Sequence, residues 1–463
     1  MSDLLTALKA RKTQGLIPVI PDIKCFSPKE GDLLRGRDPV AIAKELASAG
    51  ACALSVVTES SAFHGSLELL RRICAAVPVP VLRKDFVETK EDLQATKLAG
   101  ASSILLMYSC LGKERLETLY RESLELDLVP FVETHTAEEL RWAGELGALL
   151  IGINNRDILQ LEKDDGDVSL AASLLHTAPD GAFIVVESGL QNGADVRKAV
   201  RCGAGAALVG TAILKAPSLT AMYRSMTRPC NLKICGLMDT DGVYLCLQNQ
   251  VDMLGFVTEY PVDVPWNLSR SKASALISCT QNACISRGSN AKTCIVTGGS
   301  PEKVIRLAEE LRPDFVQLHY TETLADTLQI ANALHRLQIR IIRSIPSDIE
   351  LRRLMFGRSE LDEILSALQE ISVDIFLFDS RDAGNAASGG GSILQAEKET
   401  GLSGRNPGMS PFMFGGGLNA DNIRQALNLY SPDWLDIMTG SEISPGRKSE
   451  TKIRKITAAL EQC

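Results

Sequence analysis

Two stretches of this chain close on side chains suited to moving protons. Val81-Leu82-Arg83-Lys84-Asp85-Phe86 and Phe131-Val132-Glu133-Thr134-His135 each begin as an apolar run and end in titratable residues. Runs of Val, Leu and Phe read as strands buried on both faces, and in barrels of alternating strands and helices the chemistry sits where such strands end. Lys84 and Glu133 therefore form a candidate acid/base pair. The competing reading is a salt-bridge ring at a barrel mouth, since structural ion pairs also occupy clefts. His135 shares the face of Glu133 by strand alternation and reads as a structural, hydrogen-bonding histidine; His64 reads as a loop residue.

Positioning such groups takes a large fold, and the composition provides for one. The 463 residues exceed what one core usually holds, so two domains of roughly 200 to 250 residues are expected. Hydrophobic residues make up 45% and charged residues 23%, ordinary globular values that exclude collagen, extended disorder and a disulfide mini-fold. A net charge of -8 argues against a general nucleic-acid surface. The 12 cysteines are scattered, several within apolar runs (Cys52, Cys246, Cys294), with neither CxxC nor zinc-finger spacing, so they read as reduced thiols and no metal site is indicated. No stretch approaches the ~20 apolar residues of a membrane span, and a soluble, cytoplasmic protein is expected.

Eight short apolar runs occupy 18–24, 53–59, 79–86, 103–109, 129–135, 149–157, 183–189 and 206–213, most of them separated by amphipathic helical stretches. One such stretch opens at Asp38-Pro39, an N-cap followed by proline at the first helical position. Eight strand–helix units predict a (β/α)8 barrel. A second set of eight follows at 232–238, 253–260, 292–298, 315–320, 339–345, 374–380, 411–417 and 434–440, so the fold class is α/β with two tandem TIM barrels, 1–226 and 231–463. The junction near 225–231 is short and contains Pro229, which suggests docked or closely tethered barrels. The Gly-, Ser- and Asn-rich stretch 380–410 is expected to be a mobile loop over the second site.

The two halves echo each other. The seventh run of the first half leads into Ser188-Gly189-Leu190-Gln191-Asn192, that of the second into Gly416-Gly417-Leu418-Asn419, and the eighth runs end in Gly210-Thr211 and in Gly440-Ser441. Glycines after strands seven and eight expose backbone N–H groups that can hold a phosphate dianion. A single glycine turn is weak evidence; matching turns in both halves favour two phosphate sites.

Pro21-Asp22-Ile23-Lys24 with Ser27-Pro28, Leu82-Arg83-Lys84-Asp85-Phe86, Gly152-Ile153-Asn154-Asn155-Arg156-Asp157, Glu187-Ser188-Gly189 and Val209-Gly210-Thr211 together resemble the indole-3-glycerol phosphate synthase family, in its order, over essentially all of 18–215. The resemblance implies closure of an arylamino deoxyribulose phosphate to indole-3-glycerol phosphate with loss of carbon dioxide and water. It makes Lys84 the general acid at the carbonyl and Glu133 the group assisting dehydration. Lys24 would hold the carboxylate or phosphate end, Asn154 and Glu187 would line the reacting ring, and Ser188, Gly189, Gly210 and Thr211 would take the phosphate. Asp22, Ser27, Phe86 and Arg156 complete the implied substrate contacts. Lysine and glutamate suit the work, because an attacked carbonyl develops negative charge while dehydration needs a second group of different pKa. The family usually has glutamate where Asp22 stands and a longer N-terminal extension over the substrate.

Asn231-Leu232-Lys233-Ile234-Cys235-Gly236-Leu237, with Val316-Gln317-Leu318-His319, Leu377-Phe378-Asp379 and Gly415-Gly416-Gly417-Leu418-Asn419, resembles phosphoribosylanthranilate isomerase over roughly 231–455. That family performs an Amadori rearrangement, and the implied base is Cys235, the implied acid Asp379. A cysteine serves as base only as thiolate and so needs a positive neighbourhood, for which Lys233 or a helix N-terminus is available. Read alone, Cys235 is a small buried residue. Asp379 fits an acid kept protonated by desolvation, and His319 reads as packing. The family's arginine after the second strand, in a Ser-Pro-Arg segment that grips the anthranilate carboxylate, is absent, and Arg270 is the candidate to replace it from a shifted position. A Gly-Thr-Gly step after Asp379 is also missing.

The resemblance as a whole implies a bifunctional tryptophan-biosynthesis enzyme, the C-terminal barrel acting first, with phosphorylated anthranilate-sugar substrates, no cofactor, no nucleic-acid or membrane partner, and a monomeric or weakly associating chain. The rival readings are a single working barrel and a non-catalytic phosphosugar-binding scaffold.

Overall fold

In the computed structural model the described residues are 3–155, 173–287, 289–379 and 410–461. Arg156 and nearly all of the expected loop at 380–410 lie outside them. The chain divides between Pro229 and Cys230 into two compact units. Each unit contains a closed barrel of eight parallel strands.

In the N-terminal unit the strands are, in order, Val19–Ile23, Leu54–Val57, Val81–Lys84, Ser103–Met107, Val129–Thr134, Leu150–Asn154, Phe183–Glu187 and Ala206–Val209, the last pairing with the first. Alternation sorts them into two faces. Val81, Ile104, Val132, Ile151 and Ile184 pack outward beneath the helices, while Leu82, Leu105, Phe131 and Val185 fill the barrel. Each such fully buried side chain contributes roughly 1.5–3 kcal/mol. Two residues further along, the inward rows end in Lys84, Glu133 and Glu187, and Asn154 ends the inward row of the sixth strand. The helix before the first strand, Leu4–Thr13, starts at an Asp3 cap that accepts from Thr6 N (2.7 Å) and buries Leu4 and Leu8 among Ala53, Leu150, Phe183 and Ala206 at the strand beginnings. The residues before the first strand thus close the end of the barrel opposite Lys84.

The C-terminal strands are Asn231–Ile234, Met253–Val257, Lys292–Thr297, Phe315–Leu318, Arg340–Pro346, Ile375–Asp379, Phe412–Gly415 and Trp434–Ile437, closed by pairing of the first with the last. Met253, Cys294, Phe315, Ile342, Ile375, Leu377, Met413 and Trp434 form its interior. Helix starts are capped locally: Thr89 with Asp92 and Thr323 with Asp326 form capping boxes, and Ser300 with Pro301 starts the helix Pro301–Leu311.

Two candidate active sites at the strand ends

Arg83 and Lys84 show how the strand directs its side chains. Arg83 points outward and is tied down by Thr58, Asp85 (2.9 Å) and the Asp92 carbonyl and Thr96 hydroxyl of the helix Lys90–Leu98. The next side chain, Lys84, must then face inward, where its ammonium bonds Glu187 and lies 3.8 Å from Glu133 Oε2. Asn154 Nδ2 donates to Glu133 Oε1 (3.1 Å), and Ser55 Oγ donates to Asp22 Oδ1 (2.6 Å). Gly152 makes this possible: a Cβ there would stand 2.4 Å from Glu187 Oε1 and 2.9 Å from Phe131.

Burial works against the Lys84 charge, but Glu187, Glu133 and Asp22 outweigh it and hold the lysine pKa up. Three carboxylates around one ammonium cannot all ionise cheaply, and burial pushes Glu187 up to about 7, against the pull of Lys84 and with the push of Glu133. His135 lies 3.4 Å from Glu133 Oε1 and 3.7 Å from Glu139 Oε2; burial lowers its pKa, and these carboxylates more than reverse that.

A cavity of about 850 Å³, counting its open mouth, lies over this cluster. Of the expected residues, Asp22, Lys24, Lys84, Phe86, Asn154, Ser188, Gly189, Gly210 and Thr211 line it. Ser188 (φ 64°) and Gly189 (φ 74°) turn their backbone through the left-handed region at its edge. Glu133 and Glu187 are fully buried behind Lys84 and do not line the cavity, and Ser27 is buried in the hairpin Phe26–Ser27/Gly31–Asp32 away from it. Glu59, at the end of the second apolar run, and Phe63 carry no role read from the sequence, yet both line the same cavity, with Lys24 5.6 Å over the Phe63 ring.

The C-terminal cavity, about 780 Å³ by the same measure, is lined by Cys235, Gln317, His319, Asp379 and Asp436, with an apolar wall of Val257, Tyr260, Val264, Trp266 and Val296. Gly255 on the neighbouring strand leaves room for the Cys235 sulfur, which a Cβ would approach to 2.8 Å. His319, expected to be packing, faces the acid candidate: Nε2 is 3.1 Å from Asp379 Oδ2, Nδ1 is 3.2 Å from Gln317 Nε2, and Tyr260 Oη donates to its carbonyl (2.8 Å). Trp266 is fixed by Nε1–H donation to Glu442 (2.9 Å), which also holds Lys448 (2.8 Å), and Lys448 bonds the Cys235 carbonyl.

The expectations for Arg270, Lys233, Gly440 and Ser441 need correction here. Arg270 does not reach the cavity: its guanidinium is taken up by Glu259 (3.0 and 3.1 Å) and Glu310 (2.8 and 2.7 Å). The Thr258–Leu268 bridge folds the preceding segment so that Val264 and Trp266 face the substrate space instead. Nor does Lys233 simply make a thiolate, because its ammonium is committed to Asp436 (2.7 Å). Burial pushes the Cys235 thiol up and Lys233 only partly offsets it. Gly416 and Gly417 line the cavity, both with positive φ (96° and 64°). Gly440 and Ser441 do not; Gly440 is packed on the Leu418 carbonyl and Ser441 Oγ donates to the Met438 carbonyl (2.6 Å).

Residues 2–226 match the family model of indole-3-glycerol phosphate synthase, and residues 233–459 that of N-(5'-phosphoribosyl)anthranilate isomerase. Indole-3-glycerol phosphate synthase of Pyrococcus abyssi is 42% identical over 218 residues, 47% of this chain and 93% of the relative. That of Pyrococcus furiosus is 44% identical over 208 residues, 45% of this chain and 89% of the relative. A crystal structure of phosphoribosyl anthranilate isomerase from Thermotoga maritima aligns with 50% of this chain and 100% of its own at 20% identity and a TM-score of 0.40. Among the described residues no helix is long and apolar enough to cross a membrane. Through its N-terminal barrel the chain belongs to the indole-3-glycerol phosphate synthase family, and with the phosphoribosylanthranilate isomerase domain that follows it joins a lyase and an isomerase of tryptophan biosynthesis in one polypeptide.

Proposed function

We propose that the C-terminal barrel opens and rearranges N-(5-phosphoribosyl)anthranilate with Asp379 as acid and Cys235 as base, and that the N-terminal barrel closes the resulting carboxyphenylamino-deoxyribulose phosphate with Lys84 as acid. In the first reaction Asp379 protonates the ribosyl ring oxygen and Cys235 removes the C2 proton. In the second, the arene carbon attacks the ketone while Lys84 gives its proton to the developing alkoxide. Carbon dioxide then leaves from the attacking ring carbon, its bonding pair restoring the arene, and Glu133 assists departure of the hydroxyl as water. The observation that carries this reading is the placement of the Lys84 ammonium on the cavity wall between Glu187 and Glu133. An ammonium so held is protonated at neutral pH, and an alkoxide is a stronger base than either carboxylate beside it.

The phosphate of the second substrate is assigned to the backbone at Ser188, Gly189, Gly210 and Thr211, with Lys24, Phe86 and Arg156 completing the contacts. In the isomerase it is assigned to Gly416 and Gly417. The free thiols among the described residues favour a reducing compartment, the cytoplasm. Anthranilate-type fluorescence followed on adding each substrate separately to the purified chain tests the whole reading. Turnover of both is expected. Turnover of the second substrate alone would leave one working barrel, and turnover of neither would leave a binding scaffold.

A further inference from the structure

The sulfur assigned as isomerase base shares the barrel interior with a buried charge pair. Lys233 faces inward on the first C-terminal strand and Cys235 follows on the same side one residue past the strand's end, while Asp436 is the strand partner of Lys233 in the eighth. The Lys233 side chain is fully buried, and its Nζ is 2.7 Å from Asp436 Oδ2. Asp436 Oδ1 is buried without a hydrogen-bond partner, and Asp436 and Cys235 line the same cavity. Other groups around the sulfur are few. Cys294 lies on the third strand, Lys448 bonds the Cys235 carbonyl and is itself held by Glu442, and Asp379 with His319 line the cavity.

We propose that Asp436, acting through Lys233, keeps Cys235 a thiol at rest and so makes it a strong base once ionised, which gives Asp436 the part of a positioning residue in the isomerase. With Asp436 ionised and Lys233 charged, the cluster is neutral when Cys235 is a thiol and carries one negative charge when it is a thiolate. Burial favours the neutral arrangement. Without the Asp436 charge, Lys233 and a thiolate would form the neutral pair, and the sulfur would ionise readily but remove a carbon-bound proton less well, since basicity falls with pKa. Burial and Asp436 both push the Cys235 thiol up, in agreement with the geometry.

The proposal rests on the reading of Cys235 as base, and the test separates the two. Iodoacetamide modification of Cys235 in the native full-length protein, followed by peptide mass between about pH 6 and 10, gives its ionisation midpoint. The acid limb of the isomerase kcat/KM gives the same midpoint without a reagent. In the wild type this midpoint should lie above the ~8.5 of an ordinary thiol. Asp436→Asn should lower it by about one pH unit or more, and Lys233→Met should raise it. A wild-type midpoint below about 7.5, or one that Asp436→Asn leaves in place, overturns the couple. The wild-type value decides the matter if neither variant folds. Isomerisation that survives Cys235→Ser removes the base assignment and leaves the electrostatic couple standing.

Discussion

In the N-terminal barrel Lys84, the proposed acid, is surrounded by carboxylates, whereas in the C-terminal barrel the sulfur of Cys235, the proposed base, stands against Val257, Tyr260, Val264 and Trp266. Both sets of groups occupy the last inward positions of parallel strands. Their environments differ because the groups that barrel closure gathers around them differ: Glu133 and Glu187, with Asn154 on Glu133, in one, and Gly255, Val257 and Val296 in the other. In the first site the Lys84 ammonium is kept charged by the carboxylates around it. The second sets its groups against an apolar wall, with the ion pairs Lys233–Asp436 and Lys448–Glu442 buried beside it. One backbone plan therefore supports two electrostatic regimes, and the choice is made by a few side chains per strand.

That contrast can be broken from either side, and the isomerase should break hardest. Cys235→Ser should lower its rate by about 10³-fold or more, and Asp379→Asn by a comparable factor, because each removes a proton-transfer group with no substitute on the apolar wall. Ring closure should not change; stopped-flow assays of both reactions on the same preparation check this, and near-wild-type isomerisation in both variants would mean that other groups do the work. Lys84→Ala should lower ring closure by at least ~100-fold and leave isomerisation intact. A ring-closing rate within a few-fold of wild type would remove Lys84 from the mechanism.

Smaller effects sharpen the comparison. Gly152→Ala sets a methyl 2.4 Å from Glu187 Oε1, so it should cost about 1–3 kcal/mol of stability and displace Glu187 from Lys84. Thermal unfolding together with the ring-closing rate measures both, and an unaltered melting curve would show that the site yields more than its packing suggests. The smallest expected effect belongs to His135. Its pKa is raised in the folded protein, burial being outweighed by Glu139 and Glu133, so its stabilisation is full below the ordinary histidine range and fades as pH rises through the folded value. His135→Gln should therefore destabilise the protein more at about pH 5.5 than at about pH 9. Equal destabilisation at both would assign His135 a packing role only.

Much of this was legible in the chain itself. Two sets of eight apolar runs, each spaced by helical stretches, specify two barrels because a strand buried on both faces has few other homes. The position of Lys84 after Val81-Leu82-Arg83 already implies that it faces inward if Leu82 does. Residues separated widely in sequence were harder. Nothing local announces that Asp436, two places after Trp434, meets Lys233, or that His319 meets Asp379, because the first pairing comes from strand register and the second from side chains meeting across the strand between them. Arg270 shows the same limit: as a sequence position it is an available cation, and only the fold brings Glu259 and Glu310 to it.

The amino-acid sequence by itself determined the element types, their order, the inward or outward sense of each strand residue and so the list of groups that end at the mouth of each barrel. These follow from short-range periodicity and capping, which act within a few residues. Tertiary structure alone decided which of those groups touch: that Glu187 sits behind Lys84, that Lys233 is held by Asp436, and that Trp266 takes the wall where an arginine was expected. Charge states depend on neighbours within several ångströms and on exclusion of water, and closure of the barrel sets both.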